Sequence, residues 1–239
     1  MVKRRTPPRT ESISNLTLID DGVRVIEYQL SRKRPSYFRI ARESHLLLLR
    51  AMVEALCGSA NLGVLGPPKD KIRSVKYRAG NEPWKEIQRE SVPNCRYAWR
   101  YSAPTPCTPP PLPPPGPTAL PPRDAHLLGF YDLLARIQAG CFMCHIFGAR
   151  PVTVADGELR DLEWLHEQVR NEFEHYVPKG YVVGVPALLG ASSIALRLSE
   201  WLLYSSGSVL LHRPPRGLQT RLSTLHPRVT RLLARFAHP

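Results

Sequence analysis

Within six consecutive residues, Arg170-Asn171-Glu172-Phe173-Glu174-His175, the chain sets a permanent cation, a carboxamide and an imidazole. An imidazole exchanges protons near neutral pH and a guanidinium stays charged, so this run can move a proton and hold a negative charge. The same residues also fit an ordinary salt-bridged helix surface, because Arg170 lies four positions from both His166 and Glu174. Other constellations are weaker. Cys141-Phe142-Met143-Cys144-His145 has the spacing of a haem-attachment motif, but that chemistry belongs to exported proteins. Cys95, Cys107 and the scattered histidines offer no further pair for zinc. Gly63 to Lys71 lacks the order of a phosphate-binding loop. No metal and no cofactor is expected.

The elements that must position the run are read from apolar spacing. Residues 11 to 30 alternate around Asp21-Gly22 and predict a β-hairpin. A helical pattern then runs from Ser36 to Cys57 through Ile40, Leu46, Leu49, Val53 and Leu56, stopped by Gly58. Three further helices are predicted: Asp124 to Phe147, with a break at Gly140; Asp156 to Tyr176, on the stripe Leu162, Leu165, Val169, Phe173 and Tyr176; and Pro186 to Tyr204, with Pro186 in its first turn. Four helices suffice for a small bundle. Between residues 103 and 122, 11 of 20 positions are Pro, so this stretch can neither form a helix nor join a ladder and reads as a linker or exposed insertion.

Charge is unevenly spread. The 239 residues carry a net charge of +13, which points to a polyanion as partner. Residues 156 to 200 nevertheless hold eight acids against four bases, whereas residues 207 to 239 hold no acid at all. In that tail Leu218, Leu222, Leu225, Val229, Leu232 and Phe236 keep helical spacing across Pro227, predicting two short basic amphipathic helices. Arg216, Arg221, Arg228 and Arg231 are the candidate RNA contacts, with an anionic membrane under the leucine face as the other use. No apolar run follows the basic residues 1 to 10 and none is long enough to span a bilayer, so the expected location is the cytoplasm.

The Arg170-Asn171-x3-His175 run resembles the R-[polar]-x3-H signature of the HEPN-domain family, small helical bundles found in RNA-cleaving toxins and other defence proteins. The surrounding run Leu162 to Lys179 also resembles HEPN-type domains; the resemblance covers at most the four helices of Ser36 to Cys57 and Asp124 to Ser206, and implies an antiparallel four-helix bundle and metal-independent RNA cleavage. In that chemistry the 2′-hydroxyl attacks the adjacent phosphate, His175 handles the proton, Arg170 stabilises the phosphorane, and Asn171 orients one or the other. With about 100° per residue, Arg170 and His175 stand about 140° apart on an α-helix, too far for one phosphate. Trp164 and Gln168 share the outward face with Asn171 and His175, and a Trp there predicts contact with a second copy, so the cleft would combine two protomers. HEPN families are commonly dimeric in this way.

The expected architecture is therefore mainly α: a basic arm with a β-hairpin over residues 1–35, a HEPN-like helical domain over 36–206 interrupted by the Pro-rich linker 103–122, and a basic tail over 207–239. The expected function is a homodimeric endoribonuclease in a defence or toxin system, with an antitoxin as a possible partner. The alternative is a non-catalytic HEPN-like module that binds a protein or RNA.

Overall fold

The structure, a computed structural model, describes residues 14–57, 64–66, 126–143, 149–171, 182–209 and 214–236. At residues 65, 66, 126, 140, 141, 170 and 171 the description is of the backbone alone. The Pro-rich stretch 103–122 and residues 1–13 lie outside it, as do Gly63, Cys144, His145 and His175.

The amino-terminal segment is a helix and not the hairpin its Asp21-Gly22 pair predicts: α1 spans Asn15–Ser31. Ser14 caps it, its hydroxyl accepting from the Thr17 N–H at 3.1 Å. Ile19, Val23 and Ile26 repeat every three or four residues and are fully buried, so the helical period outweighs the turn signal. Gly22 is instead a point of close approach, where an added Cβ would sit 3.3 Å from the Leu47 side chain. Leu47 belongs to α2, Tyr37–Cys57, which runs antiparallel to α1. Asn15 clamps the far end of the pair by donating to the Arg50 carbonyl at 3.0 Å and to Glu54 at 2.8 Å.

A two-residue antiparallel ladder pairs β1, Leu65–Gly66, with β2, His126–Leu127. The predicted helix from Asp124 begins later and is broken: α3 covers Phe130–Ile137 and α4 covers Gly140–Met143. After α5, Asp156–Trp164, the helix continues in wider π turns from Leu165 to Asn171. α6, Val185–Glu200, carries Pro186 in its first turn and also ends in a π segment, Trp201–Ser205. The tail forms α7, Leu218–Ala234, one helix continuous through Pro227 where two were predicted. Pro227 is on the exposed side of the helix, away from the packed stripe of Leu222, Leu225 and Val229.

α6 is central, packing on α2, α5 and α7, while α2 also meets α1, α3 and both π segments. α1 and α7 do not stand off as arms: Ile19, Val23 and Ile26 share one core with Leu222, Leu225 and Val229, and with Leu189, Leu196 and Leu198 of α6. Serines inside this core are satisfied by their own helices. Ser44, Ser192 and Ser199 each donate to the carbonyl four residues back, at 2.6 to 2.8 Å. Among the described residues the architecture is thus mainly helical, with α1, in place of the expected hairpin, and the tail helix α7 packed on the helices expected of the bundle. No described helix is long and apolar enough to cross a membrane.

Candidate functional site

α5 begins at Asp156 with Ala155 in the cap position, whose N–H donates to Glu158 at 3.3 Å. Glu158 also accepts from Arg197 of α6 at 2.6 Å, which ties the first turn to the bundle. Leu162, Leu165 and Val169 are buried, as the stripe predicts. From Leu165 the helix follows the i→i+5 hydrogen-bond pattern, which widens the turn and reduces the rotation per residue. The α-helical angle of about 100° per residue therefore fails over the approach to the motif. Arg170 and Asn171 close the π segment. His175 lies outside the described residues, so the structure sets two of the three motif residues on one backbone segment and leaves the third out.

The turn before the motif is held by a buried aromatic and histidine cluster. Nε2 of His45 on α2 and Nδ1 of His166 are 3.0 Å apart, with residue exposures of 1% and 6%. The Phe130 ring stacks on His166 at 4.5 Å between centroids and 8° between planes. Tyr131 meets the same imidazole edge-on at 5.1 Å and donates its hydroxyl to Glu167 at 2.8 Å. Burial, reinforced by the Glu167 hydrogen bond, pushes the Tyr131 phenol far above its ordinary range, so it stays protonated and keeps its proton for Glu167. Together these contacts pin the first π turn to α2 and α3.

Glu163 is buried on the same helix, and its Oε1 has no hydrogen-bond partner. Burial, and then the negative charge of Glu167, push its carboxyl up to about 7. A carboxyl tuned in this way exchanges a proton at neutral pH, the property that acid–base chemistry requires. His45, Tyr131 and Glu163 escaped the sequence reading, and His166 entered it only as a partner for Arg170. The available signal was that His45 falls on the buried side of α2, in step with Ala41, Leu48 and Met52.

Trp164 is half-buried and packs against the monomer's own core, and Gln168 is half-buried as well. The α7 arginines divide into two groups. Arg221 is ion-paired with Asp20 and, at 3.6 Å, with Glu27 of α1. Arg216 and Arg231 are exposed and Arg228 is half-buried. Among the described residues no three His, Cys, Asp or Glu side chains group as a metal site would need. No protein-family model, curated protein or solved structure matches the chain.

Proposed function

We propose that this chain is a HEPN-type, metal-independent endoribonuclease. The observation that carries this reading is the Arg170-Asn171-x3-His175 run of the sequence, whose first two residues close the π segment that continues α5 in a mainly helical core. In the proposed reaction the RNA 2′-oxygen bonds to the adjacent phosphorus and the bond to the 5′-oxygen breaks. The products are a 2′,3′-cyclic phosphate and a 5′-hydroxyl, with no metal, oxidant or water consumed. His175 moves the proton, Arg170 neutralises the phosphorane, and Asn171 orients the imidazole or the phosphate. Two protomers joined across Trp164 and Gln168 complete the cleft. The setting is a cytoplasmic defence or toxin system held in check by an antitoxin.

The test is cleavage of a mixed structured RNA in excess EDTA by the wild type, His175→Ala and Arg170→Ala. Cyclic-phosphate products from the wild type alone, with helical circular dichroism intact in all three, support the reading. A folded wild type that cuts nothing, or variants that cut equally well, overturn it. The second reading, a non-catalytic module for a protein partner, is favoured by the acidic balance of residues 156 to 200, eight acids to four bases, which repels RNA.

A further inference from the structure

Two acid-free basic segments lie far apart in the sequence. Residues 28 to 42 hold Arg32, Lys33, Arg34, Arg39 and Arg42 without an acid, and no acid occurs after Glu200. The fold brings the ends of these segments together. Phe236, just past α7, meets Tyr37 at the start of α2 edge to face, with centroids 5.6 Å apart. Arg32, Lys33 and Arg34 are exposed in the α1–α2 turn, and Arg231 and Arg235 are exposed on the last turns of α7. The acids that α1 turns toward α7 are already engaged: Asp20 holds Arg24 and Arg221, and Glu27 faces Arg221. The corner is left strongly positive.

Exposed aromatic rings border these cations. Phe236 is 40% exposed and Tyr28 is 59% exposed, the latter with the Arg32 guanidinium 5.6 Å from its ring centre. Cations that track phosphates, beside rings on which unpaired bases stack, make up the chemistry of single-strand recognition. An anionic membrane is the poorer match. The apolar face of α7 is turned into the core at Leu218, Leu222, Leu225 and Val229 and half-buried at Leu232 and Leu233, which leaves little leucine surface to insert.

We propose that the corner formed by the α1–α2 turn and the carboxyl end of α7 is a docking surface for single-stranded RNA, gripped through its phosphates by Arg32, Lys33, Arg34, Arg231 and Arg235. The surface does not depend on the cleavage reading, since a protein that binds RNA without cutting it would use the same corner. Its test is fluorescence anisotropy of a labelled single-stranded RNA titrated in EDTA, with the full chain carrying His175→Ala so that the probe stays intact. Affinity should fall linearly on a log–log plot against salt. Replacing Arg32, Lys33 and Arg34 together by Ala should weaken binding about tenfold at low salt and reduce the slope by about 2, close to 0.7 per lost phosphate contact. Arg160→Ala, an exposed cation on α5, should change neither. Absence of RNA binding, an unchanged slope in the triple variant, or binding only to phosphatidylserine-containing vesicles would each overturn the proposal. Circular dichroism of the triple variant checks its fold, which the exposed turn should leave intact.

Discussion

His45 and His166, 121 positions apart in the chain, meet ring to ring with a 3.0 Å Nε2 to Nδ1 contact sealed under Phe130 and Tyr131. Each imidazole keeps the other's nitrogen satisfied in a place water does not reach. His45→Phe or His166→Phe alone should cost about 1 to 3 kcal/mol by leaving a buried polar atom behind. Combining the two should cost less than the sum, with a coupling of at least about 0.5 kcal/mol in a urea-denaturation double-mutant cycle. Additive effects would mean the contact contributes nothing of its own.

Glu163 gives stability a pH dependence of known sign. Its folded-state value of about 7 lies above the ordinary 4.5, so folding takes up a proton between those limits. Stability falls as pH rises through this window, and the loss is complete above about pH 7. Glu163→Gln should remove the slope and raise stability at pH 8 by roughly 2 to 3 kcal/mol while changing little at pH 4. Thermal melts of both proteins across that range supply the check.

Asp20 holds α7 against α1. The carboxylate is 4% exposed and accepts from Arg24 Nε at 2.8 Å as well as from Arg221. Asp20→Ala leaves the Arg221 guanidinium half-buried with only the longer Glu27 contact, and should cost about 3 kcal/mol. Arg24→Ala, at the 66% exposed end of the network, should cost under about 1 kcal/mol. Hydrogen exchange should show the Asp20→Ala loss concentrated in α7.

The glycines of two helices should respond in opposite directions. A Cβ at Gly190, within α6, meets nothing within 4 Å, so Gly190→Ala should stabilise by about 0.5 to 1 kcal/mol. Gly22→Leu drives a side chain into Leu47 and should destabilise by about 1 to 3 kcal/mol. Equilibrium urea unfolding measures both.

Legibility in the sequence followed the strength of each local signal. The limits of α2 were readable to within a residue, because Gly58 and an unbroken helical pattern bracket it. Its buried face was read in phase at Ile40 and Leu56 but out of phase between them: Leu47, Leu48, Ala51 and Met52 are inside, while Leu46, Leu49 and Val53 are half-buried. The run Leu46 to Leu49 is apolar on every side and fixes no phase, and the small or polar Ala41, Ser44 and His45 that share the inner face give no hydrophobic signal. In α1 a turn-forming pair masked a clear helical stripe, since a close helix contact and a hairpin both favour glycine at position 22. The tail's stripe was read correctly from Leu218 to Val229 but not at half-buried Leu232 or exposed Phe236, and Pro227 suggested a break where the helix is continuous. The cluster around His166 was beyond reach, because it joins residues of α2, α3 and the π segment that only the tertiary fold brings together.

The small ladder between β1 and β2 holds Gly66 and His126 a strand spacing apart, although 59 residues separate them in the chain. To a protein engineer the two are matched anchor points, close enough for a short turn to join. Closing about 60 residues across that gap costs only roughly 2 kcal/mol more than closing a four-residue turn, because the entropy of a loop grows with the logarithm of its length. Joining Gly66 to His126 by such a turn, and measuring stability against the full chain, would weigh what the stretch between them contributes to the helices.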